Sequence, residues 1–351
     1  MNLITTCLGA FPKPHYVPIQ DWFQLDGGMS SSTATKEYES KLAKAGSDAE
    51  ALFQKAAKEV IADQVTAGIQ IPTDGEVRRE NYIHYHCRHL DGFDFENLTH
   101  KILRDGACES DLPTIRGAIR PREEHFLVHD YLVAQAFTDR PLKVTLPGPL
   151  TIMDSTANEH YGNNKILARD LADTLNYEIR ALAEAGCRHI QVDEPLFARN
   201  VDAALEYGVD ALGRCFDGVP DTVTRIMHMC CGYPNHLDEP EYHKASRQSY
   251  FDLAGAINNA PIDQVSLEDA HRHNDLSLLE LFDKKSVILG VIAVAKSQVE
   301  TVETVSARLR DALNHIDRER LVVAPDCGLG LLGRELAIKK LTVMCEAANG
   351  I

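Results

Sequence analysis

The sequence predicts a (β/α)8 barrel. Short apolar, β-branched runs that end in Gly, Pro or acidic residues alternate with longer stretches of helical periodicity. Eight such runs occur, each followed by a helical stretch. The chain of 351 residues is ample for the roughly 250 of a single barrel with insertions. A doubly wound open sheet is the alternative that the same alternation allows.

The runs, in order, are 4–11 (ITTCLGAF), 69–74 (IQIPTD), 142–148 (LKVTLPG), 189–195 (HIQVDEP), 223–230 (VTRIMHMC), 263–268 (DQVSLE), 286–294 (SVILGVIAV) and 321–328 (LVVAPDCG). Helical patterns are read over about 35–67, 124–137, 165–186, 201–215, 242–258, 275–283, 302–315 and 333–348. Gly68 and Gly186 follow two of these, as C-terminal glycines do. The stretch 77–120 exceeds a simple strand-to-helix loop, so a hairpin or lid inserted after the second strand is expected. The whole chain, 1–351, is read as one barrel catalytic domain.

With 36 Lys and Arg against 52 Asp and Glu, the formal charge is −16, which opposes contact with nucleic acid or anionic lipid. No run reaches the roughly 18 apolar residues of a membrane span. The N-terminus lacks the basic start and long apolar stretch of a secretory signal, so a cytoplasmic location is expected. Nine cysteines, an odd number spread along the chain, do not suggest a disulfide scaffold. Most read as small buried hydrophobes, leaving a few as candidate metal ligands.

In a barrel the active site lies at the C-terminal ends of the strands. Those ends carry Glu76, Asp193, His228, Cys230, Glu268 and Cys327. His228 and Cys230 are two apart on one strand and share a face. Glu268 and Cys327 stand at neighbouring strand ends, and His, Cys and carboxylate are ordinary zinc ligands. The plainer reading is a core histidine with packing cysteines. It weakens when all four residues fall at matching strand ends.

The ordered motifs TTCLGAFPKP (5–14), PTDGEVRRENY (72–82), LPGPLTI (146–152), IQVDEP (190–195), HMC (228–230), VSLE (265–268) and PDCGL (325–329) resemble the cobalamin-independent methionine synthase superfamily in its short, single-barrel form. The resemblance implies Zn2+ held by His228, Cys230, Glu268 and Cys327, with Glu76 and Asp193 receiving the substrate ammonium group. A salt bridge from these carboxylates to Arg78 or Arg79 is the plainer alternative. The implied chemistry is alkylation of a small thiol, homocysteine foremost. A free thiol is only about 3% thiolate at pH 7, and zinc coordination deprotonates it. Exchange of Glu268 for substrate sulfur would conserve the charge at the metal.

The donor half departs from the pattern. Ser155 stands where the family has a pterin-stacking Trp, and the only Trp is Trp22. The family's strand-seven His falls on Ala295 or Lys296. Ala10, beside Gly9, replaces a serine that helps hold the amino-acid carboxylate. Gly9, Ala10 and Ser155 are therefore expected to border the substrate, with Lys296 as a candidate leaving-group partner. A donor other than methyltetrahydrofolate is expected, as in relatives including the epoxyalkane:coenzyme M transferases. The segment NYIHYHCRHL (81–90) reads as a substrate-facing loop in which His84 or His86 supplies a general acid, or alternatively as a second metal site. The histidines of HRHND (271–275) are expected to line the mouth or support the metal ligands. Alkylation of a different thiol, a metal-free decarboxylase-like barrel, and a homo-oligomer are left open.

Overall fold

The structure is a computed structural model that describes residues 2–25, 31–103, 108–240 and 242–351. Its strands are β1 (Ile4–Thr5), β2 (Leu90–Leu103), β3 (Cys108–Pro121), β4 (Lys143–Pro147), β5 (Ala157–Asn158), β6 (His189–Asp193), β7 (Thr224–Met229), β8 (Gln264–Leu267), β9 (Ser286–Gly290) and β10 (Leu321–Ala324). Seven of them form a parallel sheet in the order β1, β10, β9, β8, β7, β6, β4.

The gap between β1 and β4 is spanned by residues 71–73, through parallel bridges Thr6–Ile71 and Thr73–Lys143. This segment cannot form a regular strand because Pro72 has no N–H to donate. The Gln64 side chain supplies the missing ladder, accepting from Thr73 N and donating to Thr73 O, each at 3.0 Å. The expected eight-stranded ring is thus present, with its second strand reduced to bridges.

The expected helices are mostly present, with instructive differences. The stretch 35–67 breaks into Thr33–Ala45 and Asp48–Ala67 at Gly46, whose φ of 55° suits glycine. Residues 201–215 are helical throughout but take a π turn at Ala204–Gly208. The helix expected from 242 begins only at Gln248, which leaves 242–247 irregular. Residues 275–283 form a 3-10 turn, Leu276–Leu281. After the second strand come a short helix, Tyr82–Arg88, and the long antiparallel hairpin β2–β3, against which β5 adds a parallel third strand. Among the described residues no helix is long and apolar enough to cross a membrane.

Alternation along each strand divides the core in two. Outward residues pack under the helices in the main apolar cluster. Inside the ring, Leu8, Ile226, Ile288, Val322 and Ala324 form a separate apolar cluster. The opposite wall of the lumen is polar: Lys143 and Thr145 from β4 face Gln191 and His189 from β6, with Lys143↔His189 and Thr145↔Gln191 in register. Lys143 Nζ, Gln191 Oε1 and His189 Nδ1 are buried with no hydrogen-bond partner among the described residues.

Burial pushes the Lys143 ammonium down to about 7, against the attraction of Cys7 and Asp193. An unfolded lysine titrates near 10.4. Between these values the unfolded chain holds a proton that the folded chain lacks, so stability rises with pH, by up to about 1.4 kcal/mol per unit for this group. Lys143→Met is expected to remove that slope. Urea unfolding of both proteins at pH 7, 8 and 9 checks it, and parallel pH profiles would refute it.

Candidate metal and substrate site

One row of the sheet register builds the rim of the barrel. Pro147 pairs with Asp193, Asp193 with His228, and His228 with Ser266. Strand alternation then aims these side chains into the mouth. The cleft above them encloses about 1330 Å3, including its open mouth, and is walled in part by Ala10, Glu76, His84, Asp193, His228 and Cys327.

His228 Nε2, Cys230 Sγ and Cys327 Sγ converge, all within 4.8 Å of one another. Cys327 Sγ lies 3.6 Å from His228 Nε2 and 3.7 Å from Cys230 Sγ, far beyond a disulfide bond. The other imidazole nitrogen, Nδ1, is 3.0 Å from Ser266 Oγ, which orients the ring so that Nε2 faces the sulfurs. Burial, with Lys143 nearby, pushes His228 down to about 3, so the ring is neutral and its Nε2 can coordinate. Hydrogen bonding to Cys230, then burial, raises the Cys327 thiol well above its usual range. Two thiols and a neutral imidazole are a soft donor set that fits zinc.

Glu268 follows β8 directly but stands outside this set of three. Its carboxylate accepts from Cys231 N at 2.8 Å and pairs with Lys244 Nζ at 2.5 Å, with both side chains largely buried. Glu268, His271 and Asp326 form a second acidic group, but its donors are spent internally. Asp326 accepts the N–H groups of Asp269, Ala270 and His271 and that of His271 Nδ1, and His271 Nε2 accepts from Ala295 N. This clamp ties the loops after β8, β9 and β10 and sets the backbone on either side of Glu268 and Cys327.

Glu76 and Asp193 both face the cleft, and both are buried. Glu76 sits at φ 57°, an uncommon conformation for a residue with a side chain. Gly9 is required beneath it, since a Cβ there would come within 2.7 Å of Glu76 Oε1. Arg79 Nη1 donates to Glu76 at 3.2 Å and Thr145 Oγ1 donates at 2.7 Å. The Arg79 pairing is therefore present, whereas Arg78 turns away to Glu50 and Asp130. Asp193 accepts from Gln191 at 2.7 Å. Burial, then the nearby Glu76 charge, raises Asp193 well above the carboxylate range, and burial raises Glu76 despite Arg79. The adjoining Glu194 instead caps the helix Pro149–Asp154, accepting from Leu150 N and from the Thr151 N–H and hydroxyl.

The residues expected on the donor side are divided. Ala10, Ser155 and His84 line the cleft. His84 Nε2 donates to the Ser155 carbonyl at 3.0 Å, so Nδ1 accepts from the Thr35 hydroxyl at 2.8 Å. With both nitrogens engaged, and burial pushing it down to about 4, His84 is a neutral scaffold residue in this state. His86 packs against Tyr85 and Phe126 and donates to Tyr82 O; it is not on the cleft wall. Lys296 is half-buried outside the cleft, beside Asp238. Residues 81–90 bring no metal-ligand group together among the described residues. Sequence reasoning missed Tyr82, Arg199, Tyr233 and Trp22 on the cleft wall, and Lys244 behind Glu268. Ser266 was missed as well; the signal that could have found it is its place two residues before Glu268 in the same apolar run.

Fold and site together define a barrel enzyme with a thiol–imidazole group at its mouth. The chain matches the family described as the catalytic domain of cobalamin-independent synthases over residues 3–350 and belongs to it. It is 32% identical to a methionine synthase of Saccharolobus solfataricus, over 99% of this chain and 94% of the relative. It is 30% identical to one of Sulfolobus acidocaldarius, over 98% and 91%. A B12-independent methionine synthase from Shewanella sp. W3-18-1, solved with selenomethionine, superposes with a TM-score of 0.85 at 29% identity, covering 99% of this chain and 97% of that one.

Proposed function

We propose that this enzyme transfers a methyl group to the sulfur of homocysteine, with zinc held by His228, Cys230 and Cys327 and completed by Glu268 or the substrate thiolate. The observation that carries this reading is the convergence of one imidazole nitrogen and two sulfurs within 4.8 Å, in the cleft that also holds Glu76 and Asp193. Zinc there would supply a thiolate at neutral pH. The protein's own residues choose the substrate. Two buried carboxyls, both raised by burial, are relieved by a cation, and the ammonium of an amino-acid thiol is such a cation. This feature favours homocysteine over thiols that lack an amino group.

The donor is proposed to be other than methyltetrahydrofolate. Ser155 offers no ring, and neither Ala295 nor Lys296 brings a proton donor into the cleft. Trp22 does reach the cleft wall from the N-terminal segment, so an indole is available there, though not from the position expected to stack a pterin.

Protein purified without added metal is expected to hold about one zinc per chain, and the Cys230→Ser, Cys327→Ser double variant almost none; elemental analysis decides, and equal zinc in both would refute the site. Asp193→Asn and Glu76→Gln are expected to keep zinc but to weaken homocysteine binding by roughly 1.5–3 kcal/mol. Calorimetry with homocysteine and with a thiol lacking the amino group tests this, since equal losses for both thiols would show that the carboxylates do not read the ammonium. In steady state, homocysteine is expected to give methionine slowly or not at all with methyltetrahydrofolate, the missing stacking ring and general acid costing a hundredfold or more in rate. Turnover near one per second, an ordinary enzymatic rate, would place folate back as the donor.

A further inference from the structure

The two buried partners of Glu268 suggest what its carboxylate does when it is not a metal ligand. Lys244 Nζ lies 2.5 Å from one carboxylate oxygen and Cys231 N lies 2.8 Å from the other, so the group is fully accommodated outside the His228–Cys230–Cys327 set. Lys244 is not a wandering surface lysine. Its side chain is 12% exposed and lies over the Tyr242 ring, 4.9 Å from the centroid. The next residue is pinned just past the end of β7, where Ala245 N donates to Cys231 O at 2.8 Å. The same segment crosses Gly232 so closely that a Cβ there would come within 2.4 Å of His243 O. The irregular stretch 242–247 therefore delivers one ammonium group to one carboxylate, immediately behind the cluster.

We propose that Lys244 is a positioning residue that receives the Glu268 carboxylate as the substrate sulfur takes its place, making the exchange of the two anions nearly neutral in charge. The inference rests on the zinc-thiolate reading above. Zinc held by His228, Cys230 and Cys327 would supply the acidity that releases the thiol proton to solvent, and Lys244 would then give the Glu268 carboxylate a cation in place of an uncompensated burial. Without Lys244 the carboxylate would be held back, because a buried carboxylate lacking its cation is costly. Zinc should stay bound without Lys244, which hydrogen-bonds to Glu268 and Gly232 and to none of the three converging ligands.

The test uses zinc-loaded full-length enzyme and L-homocysteine, with X-ray absorption counting sulfurs per zinc and calorimetry giving affinity. In the wild type, homocysteine is expected to raise the count from two sulfurs to three. Lys244→Met should retain zinc, stay near two sulfurs at the concentration that saturates the wild type, and bind homocysteine about tenfold or more weakly. Lys244→Arg should restore most of the exchange. A Lys244→Met protein that gains the third sulfur with unchanged affinity, or that loses its zinc, would overturn the role of Lys244. A wild type that holds no zinc or gains no third sulfur would overturn the underlying functional reading as well.

Discussion

Closing eight parallel strands into a ring gathers their polar C-terminal residues into a space too small to hydrate them individually, and compensation of that buried charge organises the mouth of this enzyme. Each anionic group there has an assigned partner. Glu76 has Arg79 and Thr145, Glu268 has Lys244, and Asp326 has His271 with three peptide N–H groups. Among the described residues Asp193 has only Gln191 by direct hydrogen bond, with Lys143 acting on it through the lumen. The least compensated carboxyl thus faces the cleft, where a substrate cation can reach it and favour its ionised form.

The same constraint accounts for the soft end of the site. The hydrogen bond to Cys230, then burial, makes the Cys327 thiol favour its neutral form, and burial does the same for the His228 imidazole. Two sulfurs and a nitrogen held within 4.8 Å of one another are poised for a cation, since a divalent ion would hold a thiol such as that of Cys327 as a stable thiolate. The Ser266 contact to the ring and the Asp326 clamp on the loops hold this arrangement by hydrogen bonds that involve neither sulfur. Rigidity at the soft ligands contrasts with the position of Glu268, the one candidate ligand with a well-built place to stand outside the set.

The alternation of apolar runs and helical periodicity, together with the terminal glycines, pointed to the barrel, because strand and helix periods are local properties of the chain; closure of the ring, against the open sheet that the same alternation allows, was decided by the folded chain. The places of His228, Cys230 and Cys327 at strand ends were legible too, since the strand ends of a closed ring gather at its mouth, but which of those side chains converge was not, because Glu268 stands at such an end and lies outside the set. The hairpin after the second strand was equally legible from its length. What sequence could not show was where side chains turn after the strand ends. His84 and His86 sit two apart in one polar segment, yet the helix Tyr82–Arg88 aims one into the cleft and the other into an aromatic cluster. The family's strand-seven His position falls on Ala295 or Lys296, and neither lines the cleft. Lys244 was read as part of a helix, and its position behind Glu268 depends on the close crossing at Gly232 and on the Cys231–Ala245 hydrogen bond, contacts between segments that only the folded chain brings together. Periodicity and spacing pointed to the ring and to the polar residues at its strand ends. The pairing of each buried charge, which is a matter of distances between segments remote in sequence, was decided by the tertiary structure alone.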